Sequence, residues 1–138
     1  MKTLVEFEKS LNLQGTDRFD GNLIVDKYAQ YFRDNAEVGD GATVCYWTDR
    51  HAYTIIKRTA KTLTLQQDKA ILDPEFKPEF IPGGFCAHCV NQADQTYQYD
   101  RNPNGRIIIA YWSKKKNGFY WQGLHVIPGR HEFYDYNF

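Results

Sequence analysis

The sequence predicts a mainly β domain of the α+β class, built as a small antiparallel curled sheet or barrel. Short runs of β-branched and aromatic residues recur from residue 43 onward, and turn-forming residues separate them. Aromatic side chains make up 16% of the chain, which suits a β-rich core with half-exposed tyrosines on the sheet faces. It also suits a surface that stacks planar ligands or contacts another subunit.

Residues 1–37 are predicted to form a helical extension of a β-rich domain that spans residues 38–138. Thr3 and Glu6 have the spacing of a capping box, and Asn22 can cap a second helix. After that cap, four residues recur at helical spacing: Ile24, Tyr28, Tyr31 and Phe32. We expect this helix to pack one face on the β domain or on a neighbouring subunit.

The first three predicted strands follow a tight turn at "VGDGAT" (residues 38–43). The polar "TDRH" is placed as a loop between "TVCYW" and "AYTIIKR", and "RTAKT" is a predicted hairpin turn into "LTLQQ". Short turns between consecutive strands indicate antiparallel pairing.

Four more strands are predicted after residue 94, in the order "QTYQYD", "RIIIAYW", "FYWQG" and "LHVIPG". "RNPNG" and "KKKNG" have the chemistry of hairpin turns, and the last strand is expected to close the sheet. The tail "RHEFYDYNF" carries four aromatic residues in nine, so we expect it to dock on the domain.

Residues 71–94 contain three prolines and two glycines and show no pattern of regular structure. Long loops of this kind are often functional when they are ordered, and we interpret this one as a ligand-covering or subunit-contacting loop. It holds Cys86 and Cys89 in a C-x-x-C spacing around His88. No second ligand pair supports a zinc site, and no helix pattern follows to support a redox pair, so we expect packed thiols and no metal.

The chain carries 17 basic and 17 acidic residues and a formal net charge of zero, which argues against bulk nucleic acid as a partner. No segment approaches 18 continuous apolar residues, so no membrane span is expected. The N-terminus does not have the pattern of a signal peptide, and three cysteines do not form a disulfide framework. These features predict an intracellular protein with reduced thiols.

Two Arg-His pairs stand out as candidate contacts for a phosphate-bearing ligand: Arg50–His51 in "TDRHAYT" and Arg130–His131 in "GRHEF". The planar guanidinium of arginine binds phosphate oxygens bidentately. The alternative for "TDRH" is a solvated hairpin tip. The glycines of "VGDGAT" lack the following Lys-Ser/Thr and helix of a phosphate-binding P-loop.

The segments "VGDGATVCYWTDRHAYTIIKRTAKTLTLQQDKA", "QTYQYD" and "GRHEFYDYNF" resemble the Thoeris anti-defence sponge proteins of phages. The resemblance covers residues 38–138. It implies a phage-encoded protein of the host cytoplasm that binds cyclic ADP-ribose isomers and hides them from the host's effector. It implies no catalysis and no cofactor. Some hexameric members resemble traps for the cyclic trinucleotides of CBASS immunity.

The resemblance further implies homodimers, or hexamers built from dimers, with ligand pockets at subunit interfaces where arginines hold the phosphates. Arg50 and Arg130 carry over as phosphate contacts, whereas Gln66 and Gln67 stand where relatives have a basic residue. We expect Arg50→Ala and Arg130→Ala to weaken binding and to leave the fold intact. The full set of candidate ligand-binding residues is Trp47, Arg50, His51, Phe85, His88, Asn91, Trp112, Arg130 and His131.

Two other functions stay open at this point. One is an enzyme that cleaves such a signal, with His51 or His131 as general acid-base. The other is a phage accessory or structural module that binds protein or nucleic acid.

Overall fold

The computed structural model describes residues 29–81 and 88–137. Within these ranges, six strands form a closed antiparallel barrel in the order β1-β10-β9-β8-β3-β2, and two further pairs, β4-β7 and β5-β6, form small sheets. The strands are β1 (Gly41–Cys45), β2 (Arg50–Arg58), β3 (Thr62–Gln67), β4 (Lys69–Leu72), β5 (Phe80–Ile81), β6 (His88–Cys89), β7 (Tyr97–Asp100), β8 (Ile107–Ser113), β9 (Gly118–Trp121) and β10 (Leu124–Pro128). The predicted mainly β fold is confirmed.

The barrel interior is filled by inward-pointing residues from all six of its strands. Val44, Ile55, Leu63, Leu65, Phe119 and Val126 are essentially buried. Burial of each large apolar side chain contributes about 1.5–3 kcal/mol. On β8 the inward residues are Ile108 and Ala110, which alternate with exposed neighbours. This period of two places one side of each strand in the core and leaves the other to be covered or solvated.

A helix described over residues 29–35 closes one end of the barrel. Phe32 and Ala36 belong to the barrel's core, and the ring of Phe32 packs edge-on against Phe119 at 5.7 Å between centroids. The guanidinium of Arg58 donates to the carbonyls of Ala36 and Arg33, which lack helical partners at the end of the helix. The expected packing of this helix on the β domain is confirmed, whereas the predictions for Thr3, Glu6, Asn22, Ile24 and Tyr28 lie outside the described residues.

The hairpin turns predicted between β2 and β3 and between β8 and β9 are confirmed by the pairing of those strands. β10 pairs with β1 and closes the sheet, as predicted. Between β9 and β10, Gln122 (φ 49°) and Gly123 (φ 79°) both have positive φ, as a tight two-residue hairpin turn requires. Within the described residues, no helix is long and apolar enough to cross a membrane.

Two sequence predictions about connections were wrong. "RNPNG" is not a hairpin turn, because β7 pairs with β4 while β8 pairs with β3. The turn residues specify a local reversal of the chain but not which strand pairs next. Arg50 and His51 also lie inside β2, not in the loop before it, since Arg50 already pairs with Cys45.

The prediction that residues 71–94 lack regular structure was also wrong for its described part. The end of β4, the β5–β6 pair and a 3₁₀ helix (Gln92–Asp94) lie in this segment. Residues 82–87 lie outside the description. The side chain of Asn91 stabilises the segment, because its Oδ1 accepts from the amide of Glu79 and its Nδ2 donates to the carbonyl of Lys77.

Candidate functional site

The C-terminal tail packs across the outer face of β1 and β2. The Thr43 hydroxyl donates to the carbonyl of Gly129 (2.7 Å) and accepts from the amide of His131 (2.8 Å). Arg50 and Phe133 exchange backbone hydrogen bonds of 2.9 and 3.0 Å. The expected docking of the tail is therefore confirmed. It brings together the two Arg-His pairs, which are far apart in the sequence.

Arg130 neutralises a buried carboxylate under this tail. The side chain of Asp68 is 1% exposed, and its Oδ2 lies 2.8 Å from Nε of Arg130. Nη2 of Arg130 donates to the Thr54 hydroxyl (2.9 Å) and to the carbonyl of Gly39 (3.3 Å). Gly41 leaves room for the arginine stem, since a Cβ there would lie 2.5 Å from Arg130 Cγ. Arg130 thus has a structural role before any ligand is bound.

His51 is also held by the tail. Its Nδ1 lies 2.8 Å from Oε2 of Glu132, whose Oε1 accepts from the amide of Ala52 at 2.7 Å. The hydrogen bond to Glu132 raises the pKa of His51, while partial burial opposes this rise. The ring of Tyr46 packs edge-on against the imidazole at 4.9 Å. These contacts orient the imidazole and connect β2 to the tail.

Arg50 is the more accessible of the two predicted arginines. Its Nε donates to the carbonyl of His131 (3.0 Å), and its guanidinium lies 5.0 Å from the centre of the Phe133 ring. Its terminal nitrogens make no hydrogen bond to the residues that the structure describes. Arg50 therefore keeps free donors for an anionic ligand.

Burial lowers the pKa of His131, and the positive charge of Arg50 lowers it further.

A cleft of about 390 Å³ lies between β7 and Arg130, and its lining also includes the carboxylates of Asp68 and Asp100. Tyr97 and Tyr99 are on the same face of β7, with ring centroids 6.4 Å apart, and both line the cleft. Burial raises the pKa of Tyr97 to about 12 and also raises the pKa of Tyr99, so both phenols stay protonated at neutral pH. Arg101 lines the same cleft, and its Nη2 donates to Oε1 of Gln66 (3.3 Å).

The other predicted site residues lie elsewhere or serve the fold. Trp112 lies beside the β2–β3 turn, at the other end of β2 from Arg50. It packs edge-on against Phe119 and beneath the guanidinium of Arg33. Trp47 is 95% exposed on the β1–β2 connection. Asn91 stabilises the loop backbone through its side-chain amide. Phe85 and the side chain of His88 lie outside the described residues.

Residues 89–95 of the long loop and residues 134–137 of the tail are joined by hydrogen bonds of side-chain amides. Asn137 accepts from the amide of Cys89 through Oδ1 (2.6 Å) and donates to its carbonyl through Nδ2 (2.9 Å). Gln92 and Gln95 accept from the amides of Tyr136 and Tyr134. The loop therefore contacts the chain's own tail. Cys89 is 1% exposed, and the described residues contain no group of three potential metal ligands.

Sequence reasoning missed Tyr97, Tyr99, Arg101, Asp68 and Glu132. The alternation in "YQYD" was a usable signal, because it places both tyrosines on one face of a strand. Asp68 and Glu132 gave no local signal, since their roles depend on where the tail crosses the barrel.

Comparison of the chain with models of protein families, with curated proteins and with solved structures gave no match.

Proposed function

We propose that the chain is a phage immune-evasion sponge, which binds cyclic ADP-ribose-type signalling molecules and sequesters them without cleaving them. The observation that carries the proposal is the cleft of about 390 Å³, which is lined by Arg101, Arg130, two tyrosines and the carboxylates of Asp68 and Asp100. Asp68 is paired with Arg130. Burial raises the pKa of the lining residue Tyr99, and the exposed Arg50 is close enough for its charge to oppose that rise. Its volume is in the range of small-molecule sites, about 300–1,000 Å³. The sequence resemblance points to the same ligand class.

The ligand's chemistry matches these groups. A cyclic ADP-ribose isomer offers two phosphates, an adenine ring and sugar hydroxyls. Arg50 and Arg101 would hold the phosphates bidentately, while Tyr97 and Tyr99 would contact the sugars or the base. Arg130 acts mainly as a positioning residue in this proposal, because its guanidinium already contacts Asp68, Thr54 and Gly39.

Tight binding requires that the ligand be buried further than this open cleft allows in one chain. A nanomolar dissociation constant corresponds to roughly 12 kcal/mol. We propose that a second copy of the chain covers the cleft in a homodimer or hexamer in the host cytoplasm. Light scattering with and without ligand measures this assembly, and a monomer that binds at nanomolar affinity would contradict it.

A thermal-shift panel of cyclic ADP-ribose isomers and cyclic di- and trinucleotides tests the proposal. A ligand at 100 times its Kd should add about 2.7 kcal/mol of apparent stability. Arg50→Gln and Arg101→Gln should each reduce the shift, whereas Lys61→Gln, at a turn near the other end of the barrel, should not. No shift with any compound would contradict the proposal.

Recovery of the ligand separates a sponge from an enzyme. The His51–Glu132 pair is also the arrangement of an oriented general base, so cleavage is a specific alternative. Heating the complex should release the intact ligand, as judged by chromatography. A degraded product that disappears in His51→Gln would favour the enzyme.

A further inference from the structure

The outer face of β8 is apolar and exposed, although β8 lies inside the sheet between β3 and β9. Ile107, Ile109 and Tyr111 are 57%, 43% and 59% exposed, and they alternate with inward residues. An antiparallel strand with one solvated face usually carries polar residues on that face, and β8 departs from this pattern. This face has no cover among the described residues.

The surroundings of this face are cationic. No Asp or Glu occurs in residues 50–67 or in residues 101–131, which include β2, β3, β8, β9 and β10. Lys114, Lys115 and Lys116 form the exposed β8–β9 turn. The carbonyl of Lys61 accepts from the amide of Trp112, which places the β2–β3 turn beside that end of β8. The charged residues of these strands and of the turns between them are therefore all basic.

Cations and aromatic rings are already paired around this face. Lys116 lies 4.8 Å from the centre of the Tyr120 ring, which stacks on His125 at 5.0 Å. At the other end of β8, the guanidinium of Arg106 lies 4.6 Å from the ring centre of Trp121. An open cleft of about 480 Å³ lies between these two residues and the start of β8.

We propose that this outer face of β8, with Arg106 and the lysine turn at its ends, binds single-stranded nucleic acid. Lys114, Lys115 and Arg106 would contact phosphates, and Tyr111 and Ile109 would contact unstacked bases. β8 has seven residues and spans roughly 23 Å, room for a few nucleotides. The zero net charge of the chain does not oppose this proposal, because residues 101–131, which include β8, its two ends and β9, carry no acidic residue.

A single strand fits this face better than two other occupants. A duplex keeps its bases stacked and offers nothing for Tyr111 to contact. A second copy packed about a two-fold axis would bring the cationic ends of two identical faces together, which is repulsive. The proposal is independent of the ligand cleft, since the two sites share no residue.

Fluorescence polarisation with labelled dT12 and rU12 at low salt tests the proposal. Tyr111→Ala should weaken binding about tenfold, in the range for the loss of one stacked base. Lys114→Glu with Lys115→Glu should weaken it further, and each phosphate that is no longer neutralised should reduce the slope of log affinity against log salt by about 0.7. Tyr134→Ala and Lys69→Glu, exposed residues outside this face, are the matched controls and should bind normally.

Additional binding measurements identify the preferred polymer, and circular dichroism checks that each variant is folded. The relative affinities of dT12 and rU12 show whether DNA or RNA is preferred, and a 12-base-pair duplex and polyglutamate should bind more weakly than either. Circular dichroism should show each variant folded. No binding of either single strand, normal binding by folded Tyr111→Ala, or equal binding of polyglutamate would each overturn the proposal.

Discussion

The outer face of β1 and β2 and the outer face of β8 show opposite relations between polarity and burial. Thr43 and Thr54 point out of the barrel and are polar, yet both are 0% exposed, because the tail covers them. Ile109 and Tyr111 also point outward and are large, yet they are 43% and 59% exposed. In this barrel, polar groups with specific partners hold the chain's own tail, whereas the apolar outward groups of β8 have no cover among the described residues.

The largest expected effect concerns the ion pair under the tail. Arg130→Ala leaves the buried carboxylate of Asp68 without its cation, so we expect a loss of about 3 kcal/mol in the free energy of unfolding. This expected loss replaces the sequence-based prediction of an intact fold, which was made without the pair to Asp68. Urea denaturation measures the change. The double variant Asp68→Asn/Arg130→Met should recover part of the loss, and an unchanged midpoint for Arg130→Ala would show that the pair is not structural.

Thr43→Val tests the covered face next. The variant keeps the shape of the side chain but removes the bonds to Gly129 and His131, leaving the partly buried amide of His131 without its acceptor. We expect a loss of about 1–3 kcal/mol. Thr64→Val, on the partly exposed outer face of β3, is the control and should change stability by less than about 0.5 kcal/mol. Equal effects of the two variants would contradict the distinction between the faces.

The His51–Glu132 bond should make tail docking dependent on pH. The pKa of His51 is raised in the folded state, so its contribution is fully present below the unfolded pKa of about 6.5. It is lost as the pH rises through the folded pKa. Wild type should therefore exceed His51→Gln in stability by more at pH 5.5 than at pH 8.5.

His125 and His131 have lowered pKa values and act in the opposite direction, so only the difference between wild type and variant isolates His51. Thermal melts at both pH values measure this difference. A difference that grows toward pH 8.5 would contradict the assignment.

The smallest stability effect is expected on the uncovered face. Tyr111→Ser removes an exposed ring and should change the free energy of unfolding by less than about 0.5 kcal/mol. Ile108→Ala, a neighbouring residue that points inward, should cost about 2–5 kcal/mol by leaving a cavity. Urea denaturation of both variants compares the two faces of one strand. A large loss for Tyr111→Ser would mean that this face is covered in the folded protein.

Local patterns in the sequence were sufficient to predict most strands, because alternation and turn chemistry act over a few residues. The hairpins at "RTAKT" and "KKKNG" are examples. Long-range partners were not predictable in this way. The pairing of β7 with β4, and the burial of Asp68 beneath Arg130, both depend on chain crossings that no local pattern encodes. The sequence indicated both Arg-His pairs as candidate ligand contacts. It did not indicate that Arg50 would donate a hydrogen bond to the carbonyl of His131.

A crystal structure of the protein with a cyclic ADP-ribose isomer tests the proposed function most directly. We predict ligand density in the cleft between β7 and the tail, with phosphate oxygens within hydrogen-bond distance of Arg50 or Arg101. We also predict an intact ligand. Density at another site, or an empty cleft at saturating ligand, would contradict the proposed function.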